Sequence, residues 1–115
     1  MDFEEYQRLS KKSAIYPELG VSNGPFVGWI YPSLGLAGEA GEVVDNIKKL
    51  IRDQRLVLDE ELRERIKKEL GDILWYVSQL ASELSLSLDD VAKSNLAKVE
   101  SRRTQGSLHG SGDER

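Results

Sequence analysis

Four segments of the chain repeat apolar residues every three or four positions, the pattern of a helix that buries one face. The clearest apolar stripe lies in the third segment, and its members are Leu62, Ile66, Leu70, Ile73, Val77, Leu80 and Leu84. The second segment carries a similar stripe, formed by Leu36, Ala40, Val43, Val44, Ile47, Leu50 and Ile51. No segment alternates apolar and polar residues as a strand does. The pattern therefore predicts an all-α fold, an antiparallel helical bundle of about four helices.

Capping residues and helix breakers set the expected limits of these helices. Asp2, Asp59 and Ser87 are placed to cap the first, third and fourth helices. The expected helical ranges are 2 to about 13, 32 or 33 to about 54, 59 to about 84, and 87 to about 104. A connection with Pro and Gly joins the first two helices between residues 16 and 31. We expect one domain over residues 1–105 and a flexible Gly- and Ser-rich tail over 106–115.

Two pairs of carboxylates lie at matched positions in the second and third helices. The pairs are Glu39 with Glu42 and Glu69 with Asp72. Each pair has the i, i+3 spacing that places both side chains on one side of a helix. In a hairpin that turns near residues 55–57, the middle of each pair is about 15 residues from the turn, so the pairs nearly coincide along the helix axes. The spacing predicts four acids at one level of the bundle.

Four neighbouring carboxylates repel one another unless a cation lies between them. The chain has no Cys, and its single His, His109, lies in the tail, which disfavours zinc. Oxygen ligands alone favour Mg²⁺, with Mn²⁺ as a second candidate. The alternative is that these acids are solvated helix residues paired with nearby lysines, which are Lys48, Lys49, Lys67 and Lys68.

Within the predicted helices, three glycines stand next to an acid. They are Gly38, Gly41 and Gly71. Each costs roughly 0.5 to 1 kcal/mol relative to Ala, so something must offset that cost. Close packing of two helix backbones and close approach of a phosphate to the backbone are the two physical reasons available.

A polar stripe on the fourth helix is a candidate phosphate contact. Asn95, Lys98 and Arg102 share one face, and an amide with two cations can bind phosphate oxygens. An ordinary solvated surface is the competing interpretation.

Aromatic residues supply the remaining candidates for substrate binding. Tyr76 continues the line of the acids one turn beyond Asp72. Trp29, with Tyr31, either stacks on a nucleobase or closes the end of the bundle. Trp75 points away from the stripe of its own helix, so either a neighbouring helix or a second subunit must cover it.

Charge and length narrow the classes of partner. The 115 residues carry a formal net charge of −4, which disfavours binding to polymeric nucleic acid. No stretch approaches the roughly 20 apolar residues of a membrane span, and acids occupy the place of the basic region of a secretory signal. We expect a cytoplasmic protein. Since one core of this size is modest, we also expect assembly into a homo-oligomer.

Three runs of sequence resemble one family. GLAGEAGEVVDNIKK, KKELGDILWYVSQLA and NLAKVESRR are similar to segments of the MazG-like nucleoside triphosphate pyrophosphohydrolases of the all-α NTP pyrophosphatase superfamily. The family pattern, E-x-x-E, a variable gap and E-x-x-D, falls on Glu39, Glu42, Glu69 and Asp72. The resemblance covers roughly residues 30 to 103.

The resemblance implies an activity and roles for residues. It implies Mg²⁺-dependent hydrolysis of a (deoxy)nucleoside triphosphate to the monophosphate and pyrophosphate, by a homodimer or homotetramer that cleanses nucleotide pools. The four acids would be metal ligands, and the stripe of Asn95, Lys98 and Arg102 would contact substrate. Glu39 is our candidate for the base that takes a proton from the attacking water.

Two further functions and a role for the tail also stay open. The enzyme alternative is a relative that hydrolyses phosphoribosyl-ATP or selects dUTP or dCTP, and the other is a non-catalytic helical module that binds nucleotides or proteins. The tail is similar to endings in which a glycine segment folds over bound nucleotide, which would bring Ser111, Gly112 and Asp113 to a phosphate or base. A disordered end is the alternative.

Overall fold

The computed structural model describes residues 1–16, 27–53, 56–106, 109–110 and 112–113. Its helices are α1 (Phe3–Ser10), a 3₁₀ turn (Lys11–Ser13), α2 (Val27–Arg52), α3 (Glu60–Glu83) and α4 (Leu88–Thr104). The described residues contain no strand, which confirms the all-α prediction. Helices α2 and α3 form the largest contact, while α1 packs on α3 and α4.

The predicted N-caps start three of the helices. Asp2 and Asp59 each accept, at 2.8 Å, the backbone N–H of the residue three positions on. Ser87 accepts the equivalent bond at 3.2 Å. Each cap satisfies a backbone donor that has no partner within its helix and typically stabilises the fold by about 1 kcal/mol.

Helix α2 begins earlier than the sequence predicts. The expected start was Pro32 or Ser33, but the helix begins at Val27 and contains Pro32. A proline inside a helix removes the hydrogen bond to the carbonyl four residues before it. Here that carbonyl belongs to Gly28, in the first turn, and Pro32 is less than 2% exposed, so its packing offsets the loss. Predictions for the connection at 17–26, for the helix end at Gln54 and for a turn at Arg55 lie outside the described residues.

Much of the predicted apolar stripe is uncovered in the single chain. Val44, Ile47 and Ile51 of α2 are 65%, 44% and 61% exposed, and Leu70 of α3 is 54% exposed. Besides Pro32, the buried apolar residues among those described are Leu62, Ala81 and Leu88. The radius of gyration is 17.3 Å, against about 13 Å for a compact chain of this length. The α2–α3 pair therefore presents an apolar outer face rather than a closed core.

A buried polar cluster holds α1 on α3. The Ser10 hydroxyl lies 2.9 Å from the Ser78 hydroxyl and accepts from Gln79 Nε2 at 3.0 Å. Gln7 Nε2 donates to the Ser82 hydroxyl at 3.0 Å, and Gln7 Oε1 accepts from the N–H of Leu88 at 2.9 Å. Because an unpaired polar group is costly inside a protein, this network fixes one docking of α1. That docking places the segment after α1 beside the acidic face of α3.

Candidate metal and substrate site

Three of the four predicted acids meet between α2 and α3. One carboxylate oxygen each from Glu39, Glu69 and Asp72 lies within 4.8 Å of the others. Helix α2 supplies the first acid and α3 the other two, as the antiparallel arrangement of the two helices requires. Glu42, one turn along α2, is exposed and outside this group.

The surroundings of the three carboxylates raise the pKa of one of them. Burial raises the pKa of Glu39, and a hydrogen bond with Glu69 and the charges on Asp72, Glu69 and Glu42 raise it further. Glu42 is therefore close enough for its charge to act on the group. A cation between these oxygens would remove the repulsion.

The lysines of the alternative interpretation bind other acids. Lys48 and Lys49 both pair with Asp45, at 2.9 and 2.7 Å. Lys67 lies 3.7 Å from Glu64. Among the described residues, no ion pair involves any of the four predicted acids. Within the part of the chain that the structure describes, no Lys or Arg side chain therefore neutralises these acids.

The donor set fits a hard divalent ion. Mg²⁺ binds oxygen ligands at about 2.1 Å in an octahedron, which places ligand oxygens about 3 to 4 Å apart. The three carboxylate oxygens of Glu39, Glu69 and Asp72 lie within 4.8 Å of one another, close to the separation that such an ion requires. The chemistry of the donors, oxygen without nitrogen or sulfur, agrees with Mg²⁺ or Mn²⁺.

Tyr76 forms a wall next to the acids, packed directly on the backbone of α2. A Cβ at Gly35 would lie 2.2 Å from the Tyr76 ring, so only glycine fits at that position. Burial raises the pKa of the Tyr76 hydroxyl, and neighbouring Tyr31 and the charge on Glu39 raise it further. The Tyr76 hydroxyl is therefore a polar group at the edge of the acidic cluster.

Further aromatic side chains continue this wall. Tyr16 stacks on Tyr31 with ring centroids 5.2 Å apart, and Trp75 meets the Tyr76 ring edge-on at 5.1 Å. Trp75 Nε1 donates to the hydroxyl of Ser13 at 2.9 Å. The segment after α1 therefore covers Trp75, as the first of the two predicted alternatives requires. Since Tyr16 occupies one face of Tyr31, only the other face is left for a ligand.

The glycines beside the acids have no close neighbour. A Cβ at Gly38, Gly41 or Gly71 would meet no described atom within 4 Å beyond the helix's own backbone. Close packing of helices within one chain therefore does not explain them. A ligand or a second subunit approaching the backbone remains as their physical reason.

The basic stripe of α4 lies apart from the acids in the single chain. Asn95 and Lys98 line a groove of about 510 Å³, together with residues of the α3–α4 turn. Arg102 is 7% exposed, and its Nη2 donates to the Asp113 carbonyl at 2.8 Å. None of the four predicted acids is among the described residues that line this groove.

A comparison with family models assigns the chain. The model of the MazG nucleotide pyrophosphohydrolase domain matches residues 33–107, which include all four acids and the stripe on α4. The chain belongs to this family. The resemblance seen in the sequence is therefore confirmed.

A separate comparison with individual proteins identifies a phage protein as a relative. The Gene 37 protein of Mycobacterium phage L5 is 42% identical over 115 residues, which cover 100% of both chains. No solved structure matches the chain. Among the described residues, no helix is long and apolar enough to cross a membrane.

Two residues of this MazG domain's site were missed by sequence reasoning. Gly35 resembles any other helical glycine until the Tyr76 ring is placed on it. Tyr6 of α1 is the second, since burial raises the pKa of its hydroxyl and the charge on Asp72 raises it further. Trp29, a predicted substrate contact, lies ten residues before Glu39, about 15 Å along α2.

Proposed function

We propose that this chain is a Mg²⁺-dependent pyrophosphohydrolase that converts a (deoxy)nucleoside triphosphate to the monophosphate and pyrophosphate. The observation that carries the proposal is the group of Glu39, Glu69 and Asp72, which forms no ion pair among the described residues, in a chain of a nucleotide pyrophosphohydrolase family. Removal of unwanted triphosphates from the cytoplasmic nucleotide pool is the role that such an activity serves.

The acids have distinct tasks in this proposal. Glu39, Glu42, Glu69 and Asp72 would hold Mg²⁺, or Mn²⁺ in its place. When bound, such an ion would neutralise charge on the phosphate oxygens and lower the pKa of water. A water oxygen forms a new bond to phosphorus while the bond to the departing pyrophosphate breaks. Glu39 is our candidate base, because it is the acid of α2 whose carboxylate lies within 4.8 Å of Glu69 and Asp72, where the attacking water would be held.

The surroundings of the acids supply candidate substrate contacts. The Tyr76 hydroxyl borders the acids and would donate to a phosphate oxygen. Asn95, Lys98 and Arg102 would bind the phosphates that the ion leaves uncovered. Trp29 would contact the nucleobase of the substrate. It lies about 15 Å from Glu39 along α2, which separates it from the reacting phosphate.

Assembly into a homodimer or homotetramer is part of the proposal. The exposed side chains of Val44, Ile47 and Ile51 form one apolar face of α2, and such a face is normally covered by a partner. A second copy would also bring another backbone or a basic helix near the open glycines. Light scattering after size exclusion measures the mass, and Ile47→Glu should shift it to that of a monomer.

Pyrophosphate release tests the activity. The substrates are the canonical and modified nucleoside triphosphates, with dUTP, dCTP and phosphoribosyl-ATP in the same panel. Wild type with Mg²⁺ should release pyrophosphate, and Glu42→Gln and Glu39→Gln should lower kcat by about 100-fold or more. Glu64→Gln is the matched control, because it removes a carboxylate from α3 that pairs only loosely with Lys67 at 3.7 Å.

The result also separates the alternatives. Release from phosphoribosyl-ATP alone would assign the second enzyme class. Binding of triphosphate without release by folded wild type would refute the hydrolase and favour the binding module. Equal rates for Glu42→Gln and Glu64→Gln would refute the role of the acids.

A further inference from the structure

The C-terminal tail returns to the basic stripe of α4. The Asp113 carboxylate lies 3.2 Å from Lys98 Nζ and 3.3 Å from Arg102 Nη2. The same Nη2 donates to the carbonyls of Gly112 at 3.2 Å and of Asp113 at 2.8 Å. These are the two cations that we assign to the phosphates of the substrate.

The carboxylate in this contact is charged. Hydrogen bonds from Lys98, and then from Arg102, hold the pKa of Asp113 below its ordinary value. Its side chain is 83% exposed, whereas that of Arg102 is only 9% exposed. The exposed Asp113 side chain of the tail thus contacts a buried guanidinium, that of Arg102.

The contact with the tail uses one nitrogen of the Arg102 guanidinium. All three tail oxygens bind one nitrogen, Nη2, and the buried Nε has no hydrogen-bond partner among the described residues. A guanidinium binds best when two nitrogens face two oxygens of a carboxylate or phosphate. A triphosphate, with more charge and more oxygens than one carboxylate, is therefore the stronger ligand for this pair.

We propose that the tail is an internal competitor of the substrate: Asp113 occupies Lys98 and Arg102 when no nucleotide is bound, and it must leave before the triphosphate binds there. This inference rests on the proposed function, because it takes both cations as substrate contacts. It differs from a tail that closes over bound nucleotide, since the two mechanisms predict opposite effects of losing Asp113.

The expected size of the effect follows from the exposure of the contact. Charge pairs open to solvent typically contribute up to about 1 kcal/mol, which corresponds to about a fivefold change in an equilibrium constant. Asp113→Asn keeps the shape of the side chain and removes its charge. We expect KM for the triphosphate to fall about fivefold and kcat to stay unchanged.

Glu100→Gln is the matched control. Glu100 lies on α4, as Lys98 and Arg102 do, and pairs with Arg103 at 2.6 Å. Glu100→Gln therefore removes one negative charge close to the same helix and leaves the tail unchanged. It does not touch Lys98 or Arg102. KM should change less than twofold in this variant, which separates loss of the tail contact from a general gain of positive potential.

A measurement without turnover tests the displacement directly. Inorganic tripolyphosphate, added to the full chain without metal, should shift the backbone amide signals of Gly112 and Asp113 in nuclear magnetic resonance spectra. In Asp113→Asn these signals should already be near the displaced position. The proposal that the tail competes with the substrate is refuted if KM rises or stays constant in Asp113→Asn. It is also refuted if the tail signals of wild type do not shift when tripolyphosphate is added. Failure of the proposed function is distinct, because wild type then hydrolyses no substrate whatever the tail does.

Discussion

Replacing Glu39 with Gln should stabilise the metal-free protein and remove its response to Mg²⁺. The Glu39 carboxylate lies within 4.8 Å of oxygens of Glu69 and Asp72. Glutamine keeps the size of the side chain and can still donate a hydrogen bond to Glu69. It removes the repulsion, and it also removes one oxygen charge that would hold a cation.

The magnitude follows from two pairs of like charges. At 4.8 Å, one pair costs about 0.9 kcal/mol in water, and salt at about 0.1 M reduces that to about 0.5 kcal/mol. Two pairs then give about 1 kcal/mol. For a domain of this size, such a gain raises the melting temperature by about 4 °C.

Circular dichroism melts in EDTA and in Mg²⁺, at fixed protein concentration, measure both effects. Wild type should melt at a higher temperature with Mg²⁺ than in EDTA, because an ion that binds only the folded chain stabilises it. Glu39→Gln should melt above wild type in EDTA and gain nothing from Mg²⁺. Glu64→Gln serves as the control, since Glu64 lies on α3 and pairs with Lys67.

Acid provides an internal check on the cause. Burial, and then the hydrogen bond with Glu69 and the charges of the neighbouring carboxylates, raise the pKa of Glu39, so ionisation of this group costs stability above that pKa and the cost disappears as the pH falls through it. The advantage of Glu39→Gln should therefore be largest at neutral pH and vanish below about pH 4. A variant that melts at or below Glu64→Gln in EDTA at neutral pH would refute the charge repulsion.

Other variants test neighbouring features. Gly35→Ala should lower the melting temperature and activity, because its Cβ would lie 2.2 Å from the Tyr76 ring. Gly38→Ala, with no described atom within 4 Å, should instead stabilise the chain by up to about 1 kcal/mol; equal melting of the two variants would contradict this contact. Two lysines lower the pKa of Asp45 to about 2, so its pairing stabilises the fold above pH 3.9 or so and is lost towards pH 2. Asp45→Asn should therefore lose less stability than wild type between pH 4 and 2 in circular dichroism; an equal loss would exclude the pairing as its source.

The sequence determined those features that depend on neighbours within a few turns. Apolar spacing indicated the helices, and Asp2, Asp59 and Ser87 marked three of their starts, because a cap needs only the next three residues. The spacing of the acids along two helices was enough to expect Glu39 beside Glu69. In an antiparallel pair of helices, residues equally far from the turn lie side by side.

Only the tertiary structure decided which partner each side chain takes. Pro32 lies inside α2 because its burial offsets a lost hydrogen bond. The packing energy of a buried side chain depends on distant residues, so the residues next to Pro32 in the sequence do not predict it. Gly35 is tightly packed and Gly38 is not, and the difference is the position of the Tyr76 ring on another helix. Asp113 contacts Arg102, eleven residues earlier in the chain. Periodicity and caps arise from local backbone geometry, whereas packing partners depend on how whole helices dock, which the sequence encodes only through the sum of many weak contacts.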